Sequence, residues 1–305
     1  MKTMKNKFGM SVSTVAVAFL VFLASCSEKS GIDFSASDGK NVENEAASEA
    51  YQADADDMSQ SVVVSDNSTA TGSREGDAGG RGGTKPSGDS RFTCATVTVD
   101  FASDNVVATS NTLANPHGFI TINFGITGCT DAKGNIRKGI IKVEFKGKRF
   151  VSGSFTKTTF DGYTINGVKI EGTRTVTNTT SSETTPKVTI VVDGGKATWP
   201  DGTFATRTAN LTRQLTIATA TWTLSGTASG ANRDGKTYQM EITKPLVYKR
   251  ECGLNSKVFM AVEGTKVLTT DSRQVTIDYG TGTCDKLVTV TINGVAKEVE
   301  VKGDN

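Results

Sequence analysis

His117 is the single histidine of this 305-residue chain, so Ser-His-Asp or Cys-His nucleophilic chemistry would have to run through it. It lies in Asn115-Pro116-His117-Gly118, a turn-like stretch ahead of a strand with no GxSxG elbow nearby, and reads as a surface turn residue. Paired carboxylates cleave glycosidic bonds without a histidine, provided two of them face each other about 5–10 Å apart. Glu144, Glu171 and Glu241 are the candidates because they fall inside expected strands, whereas most aspartates fall in Asp-Gly turns and cap local backbone. A basic run, Lys133, Arg137, Lys138, Lys142, Lys146, Lys148 and Arg149 against Glu144 alone, suits an anionic ligand such as a glycan, a lipopolysaccharide phosphate or a nucleic acid. Lysines on strand edges also deter sheet-to-sheet pairing, and solvated edges are the favoured reading. Trp199 precedes Pro200-Asp201-Gly202 and would offer a sugar a stacking surface if exposed; Trp222 lies inside a strand and is expected in the core. The chain has no CxxC pair, no DxDxDG loop and no phosphate-cradling glycine loop. No metal or cofactor is therefore expected, and no nucleic-acid partner is expected either.

The elements that must position these residues are strands. Ile140 to Phe145 alternates, Val168 to Asn178 is rich in Thr and β-branched residues, and Thr203 to Thr223 reads as one bent strand or two. Tyr238 to Tyr248 alternates until Pro245, which predicts a bulge or an edge there. The dipeptides Asp161-Gly162, Asn166-Gly167, Asp193-Gly194, Asp201-Gly202, Asp234-Gly235 and Asn293-Gly294 supply the positive φ angles of tight hairpins. After Arg91 no window of about 11 residues carries a helical period. Residues 91–305 are expected to be all-β, an antiparallel meander of about 12–16 strands forming a sandwich or open barrel. Threonine on both faces of segments such as Thr173 to Thr180 suits a sheet edge or a partly polar interior. Aromatic girdles of a membrane barrel are missing.

The N-terminal part differs. Lys2, Lys5 and Lys7 precede a short apolar run, Val15 to Ala24, ending in Leu23-Ala24-Ser25-Cys26. An apolar core of about ten residues fits a signal peptide and is too short for a membrane span, which needs roughly 20. The segment resembles a bacterial lipoprotein signal with its lipobox. That resemblance implies removal of residues 1–25, acylation of Cys26 with palmitate-like chains, and, with Ser27 following, an outer-membrane address on a face left open. Residues 27–90 hold 13 acidic and 5 basic side chains and almost no large apolar ones, whereas residues 91–305 hold 26 basic and 19 acidic. The composition predicts a disordered acidic linker over residues 26–90. Solvation explains its acidity, and the alternative is that it folds back on the basic body and competes with an acidic ligand.

Cys94, Cys129, Cys252 and Cys284 remain, an even number in an exported chain, and are expected to form disulfides. Ile120 to Cys129 (ITINFGITGC) and Val275 to Cys284 (VTIDYGTGTC) share one pattern, each with a cysteine upstream at 35 or 32 residues. These pseudo-repeats, about 94–129 and 252–284, favour Cys94–Cys129 and Cys252–Cys284 among the three pairings. Closing such a loop stabilises by about 3–4 kcal/mol.

The stretches Ile120 to Gly139, Thr159 to Tyr163 and Ile165 to Asn178 (INGVKIEGTRTVTN) resemble β-rich lipoproteins of Bacteroidota. That resemblance implies a compartment and a fold class, and no activity. The expected protein is a lipid-anchored, non-catalytic β domain acting in binding or envelope structure, with glycan, lipopolysaccharide or an envelope protein as partner. A polysaccharide-active enzyme with strand-borne carboxylates is the second expectation.

Overall fold

A computed structural model describes residues 50–63, 81–82, 85–105, 107–109, 112–148, 151–256, 258, 260–270 and 273–301. Cys26 and Arg149 lie outside them. The chain opens with a helix, α1 (residues 50–63), then the short β1 (Arg81–Gly82) and β2 (Thr96–Phe101). A small hairpin, β3 (Val107–Thr109) with β4 (Thr112–Leu113), precedes β5 (His117–Asn123), β6 (Cys129–Thr130) and β7 (Ile136–Lys146). Long strands follow: β8 (Phe155–Ile165), β9 (Val168–Asn178), β10 (Lys187–Thr198), β11 (Phe204–Thr216), β12 (Thr221–Ala231) and β13 (Thr237–Lys249). The helix α2 (Arg250–Ser256) leads to β14 (Glu263–Thr270), β15 (Arg273–Thr281), β16 (Leu287–Ile292) and β17 (Val295–Glu300).

Fifteen of these strands form a single antiparallel sheet, in the order β1-β2-β5-β7 and then consecutively to β17, with β6 paired to β7. The all-β antiparallel meander expected from the sequence is what the chain forms. The end strands β1 and β17 do not pair with each other, so the sheet is open.

One face is buried across the sheet because side chains alternate along each strand. Val97 and Val99, Ile120 and Ile122, and Ile141, Val143 and Phe145 form the core at the β2 end; Ile190, Val192, Leu211, Met240, Leu268, Ile277 and Val290 continue it towards β17. The opposite face carries threonines in cross-strand rows, such as Thr177, Thr189 and Thr212. The polar segment Thr173 to Thr180 resolves the same way. Thr173, Thr175 and Thr177 are half-exposed, while Arg174 and Asn178 are buried on the core side.

Four of the six Gly-containing dipeptides make turns between adjacent strands, at Asn166-Gly167, Asp201-Gly202, Asp234-Gly235 and Asn293-Gly294. Asp161-Gly162 and Asp193-Gly194 instead fall inside β8 and β10. There the register shifts, with Gly162 at φ 58° and Gly194 at φ 56°, so each left-handed glycine makes a bulge rather than a reversal. Thr203 to Thr223 is two strands with Ile217–Thr219 as a 3-10 turn between them, and register shifts flank Pro245 in β13.

The expectation of a disordered linker through residue 90 fails for residues 50–63. Tyr51, Ala55, Met58 and Val62 recur at spacings of four, three and four residues, a helical stripe. Ala55, Met58, Val62 and Val63 are buried in the same cluster as Ile120, Ile141 and Tyr163. None of the fourteen residues is exposed. The physical reason is that this short stripe buries apolar area against a ready-made face, which offsets ordering entropy that the surrounding composition could not.

Both disulfides join the pairs favoured by the repeat, Cys94–Cys129 and Cys252–Cys284, with Cα–Cα distances of 5.5 and 5.0 Å. β5 and β15 occupy equivalent places, each between a preceding and a following antiparallel neighbour. The shared Asn/Asp-aromatic-Gly triplet has one local cause. The Gly125 N–H donates to Asn123 Oδ1 and the Gly280 N–H to Asp278 Oδ1, both at 2.8 Å, with the glycines at φ 73° and 83°. The side chain closes a turn that only glycine enters without strain.

Two outcomes are expected. Replacing Cys284 with Ser leaves Cys252 as the newly reactive thiol on thiol labelling of the denatured, unreduced protein, with Cys94 unreactive. Met58→Ala, fully inside the core, lowers unfolding stability by about 2–4 kcal/mol in a denaturant titration.

Candidate functional site

The residues brought together most closely are charged, and they lie between α1 and the sheet. Asp54, Asp56 and Asp57 come from α1; Arg91 comes from the turn before β2, Arg137 from β7 and Arg174 from β9. Asp54 bridges two of the arginines, with Oδ1 3.1 Å from Arg91 Nη1 and Oδ2 3.0 Å from Arg137 Nη2. Arg91 also holds Asp57 at 2.7 Å and Asp89 at 2.6 Å. Arg137 pairs in addition with Asp131, which accepts from the Lys133 and Asn135 backbone N–H groups in the β6–β7 hairpin. Arg174 lies 3.4 Å from Asp56. The arginine side chains of Arg137 and Arg174 are only 3% and 5% exposed, so screening by solvent is weak.

Burial and pairing pull in opposite directions, and the balance differs by residue. Burial would raise Asp89 and Asp131, yet Arg91 and Arg137 hold both carboxyls below their ordinary range. For Asp57 burial outweighs Arg91, and its carboxyl is raised. Arg91 and Arg137 are raised above their ordinary value by their aspartates in spite of burial. Burial lifts the Tyr163 phenol as well, with Asp54 adding to the effect. Gln52 Oε1, Asp56 Oδ1 and the Tyr163 hydroxyl are buried without a hydrogen-bond partner among the described residues. An incompletely satisfied buried charge network is costly, and its best-attested use is to fix one arrangement against others.

The basic run is split by the fold. Arg137 points into the core, whereas Lys138, Lys142 and Lys146 are exposed on the other face of β7 with Glu144 among them. Lys142 pairs with Asp161 at 2.8 Å, and Glu144 lies opposite Lys157. Lys133 is exposed in the hairpin loop, and Lys148 is half-buried beyond β7. The six described residues of the run therefore do not form one patch.

The three glutamates are not brought together. Glu144 and Glu241 lie in one cross-strand row, separated through Lys157, Thr175, Val191, Asn210 and Thr227. Six strand spacings, about 29 Å measured along the sheet, separate them. Glu171 lies opposite Lys196, pairs with Lys169 at 2.7 Å and is more than about 15 Å from either. Trp199 is half-buried, with the Arg233 guanidinium 4.3 Å from its ring centroid and Tyr51 edge-on at 6.4 Å. Its face is taken. Trp222 stacks on Tyr248 with centroids 5.5 Å apart.

His117 is tied down on both ring nitrogens, by the Asn115 carbonyl at 3.0 Å and by Asp104 at 2.9 Å. The backbone acceptor and Asp104 raise its pKa, and the same contact lowers that of the exposed Asp104. Near β15 a polar depression of about 180 Å³ is lined by Asp278, Tyr279, Asp285, Leu287 and Glu298. That is smaller than ligand pockets of roughly 300–1,000 Å³.

The fold and this site define an all-β protein, an open antiparallel meander with an acidic helix docked on its core face. No protein-family model, curated protein or solved structure matches the chain.

Asp54→Asn removes the bridge between two buried arginines and is expected to lower stability by about 2–4 kcal/mol. Asp57→Asn relieves a carboxylate that burial already disfavours, and should stay within about 1 kcal/mol of the parent. Amide exchange over residues 50–63 reports both. The lone histidine gives a clean NMR titration. Asp104→Asn should lower its pKa, and since the folded value is raised, the wild-type advantage is full below about pH 6.5 and disappears as pH rises through the folded pKa.

Proposed function

We propose that this protein is an outer-membrane lipoprotein, acylated at Cys26, whose β domain acts by binding or as part of the envelope structure rather than by catalysis. The single observation that carries the reading is Leu23-Ala24-Ser25-Cys26 behind a basic start and a short apolar run. Several acyl chains on one cysteine hold a protein stably, whereas one chain binds marginally. The separation of Glu144, Glu171 and Glu241 supports the non-catalytic half of the reading, since a glycosidase needs its two carboxyls within about 5–10 Å. The likeness of the segments Ile120 to Gly139 and Ile165 to Asn178 to β-rich lipoproteins of Bacteroidota supports the same compartment.

The test is metabolic labelling with an alkyne-bearing palmitate in cells that process lipoproteins. Wild-type protein should carry label and sediment with outer membranes, and Cys26→Ser should lose both properties. Label on the Cys26→Ser protein would refute acylation at this residue. Protease treatment of intact and lysed cells then assigns the face of the membrane. Loss from intact cells directs the search to glycan or matrix ligands, and protection until lysis directs it to envelope partners.

A further inference from the structure

The two disulfide-closed loops share a scaffold and differ in what they display. In the first, Gly125-Ile126-Thr127-Gly128 leads from the end of β5 to Cys129; in the second, Gly280 and Thr281 end β15 and Gly282-Thr283 leads on to Cys284. Ile126, the counterpart of Thr281, is 91% exposed. The Asx turn at Gly125 and the Cys94–Cys129 bond fix this loop, so the isoleucine has no route to the core. Ile136, 44% exposed, packs with Lys138 around Gly128, and Lys133 is exposed in the adjoining hairpin. Lys133 and Lys138 have no ion pair among the described residues. From Asn123 to Lys138 the only acidic residue is Asp131, which is buried against Arg137. This tip is therefore apolar at its summit and cationic at its flanks.

Its position in the fold adds a second observation. β5 ends where β7 and β9 begin, and Ile136 and Asn166 are hydrogen-bonded there. α1 starts at this same end of the sheet, with Gln52 donating to the Glu171 carbonyl near the start of β9 and Tyr51 beside Trp199. The chain coming from Cys26 thus joins the fold at the end that carries Ile126. The other exposed aliphatic next to a disulfide, Leu254 at 70%, lies in α2 at the opposite end.

We propose that the Ile126 tip is a membrane-contact site. Ile126 and Ile136 enter the headgroup region of a bilayer while Lys133 and Lys138 meet anionic headgroups, so the sheet stands with its β5–β7 end on the lipid. The occupant is a lipid surface because a rigid aliphatic summit flanked by two lysines with no ion pair among the described residues matches an interface that is apolar beneath and anionic above. One isoleucine and two lysines bind weakly in isolation. Held near the surface by a covalent anchor, the same contact is an intramolecular event and suffices to orient the domain. This inference rests on the lipid-anchored reading, and its test does not.

The mature chain, residues 26–305 with Cys26→Ser, which carries neither the signal segment nor an acyl chain, is sedimented with vesicles of phosphatidylcholine alone or with about a third phosphatidylglycerol, at low salt. Binding is expected to the anionic vesicles, falling as salt is added. Ile126→Ser should reduce it about tenfold, the factor that follows from losing one buried aliphatic side chain. Leu254→Ser should leave it unchanged. Ile126→Trp should add a fluorescence component quenched by brominated lipid, which also reports insertion if the serine variant is poorly folded. No binding by the parent, or equal binding by parent and Ile126→Ser, overturns the proposal. Failure of acylation appears only in the palmitate labelling.

Discussion

Asp54 holds the molecule's two structural layers together. Its carboxylate reaches Arg91 in the approach to the sheet and Arg137 on β7, two arginines that are each also held by an aspartate of their own neighbourhood, Asp89 and Asp131. Hydrophobic contact alone would let a short helix with one apolar stripe slide or rotate on a face of valines and isoleucines. Ion pairs at low exposure are direction-dependent, and a displaced α1 would take Asp54 away from Arg91 and Arg137 and Asp56 away from Arg174. The apolar cluster supplies the favourable free energy of docking, and the charges select where it is gained. The face beneath α1 consequently carries arginines where an ordinary sheet core would carry aliphatic residues.

The disulfides act on a different problem. An open antiparallel meander is built from contacts between consecutive strands, and its long-range closure is weak by construction. Cys94–Cys129 and Cys252–Cys284 each fasten the loop after a strand to the segment before its earlier neighbour. They sit near the two ends of the strand order. At β17 the charged edge Lys297, Glu298 and Glu300 discourages further strand addition.

Strand pattern, turn chemistry and the repeat were legible because each is local. Val168 to Asn178 is one strand in full, and the Asn-Gly turns fall between strands where the dipeptide rule puts them. Asp161-Gly162 and Asp193-Gly194 misled for the same reason: the rule specifies a left-handed glycine, and a bulge uses that conformation as well as a turn does. α1 was hidden by its surroundings. Its stripe of Tyr51, Ala55, Met58 and Val62 is readable in isolation, but it sits in acidic, Ser- and Gly-rich sequence that argues for disorder, and its partners are on strands about 80 to 120 residues away. Arg137 and Arg174 were unreadable as core residues, since a basic side chain on a strand is assigned outward unless its carboxylate is known. Composition reported the charge of both halves correctly and could not report that they meet. Asp104, which pairs with His117, had no sequence signal beyond proximity.

The docked helix also changes the reach of the domain. For a chain held at Cys26, the first described element is α1, about 24 residues on and at most roughly 85 Å away even at full extension, whereas for Arg91 the limit would be about 230 Å. Tension arriving along that length acts first on α1, across β7, β8 and β9, as shear on a packed helix and its ion pairs. The end strand β1, two residues long and easily peeled, is spared until that contact yields. In a chain so held, α1 would act as a clasp that opens under load before any strand is lost.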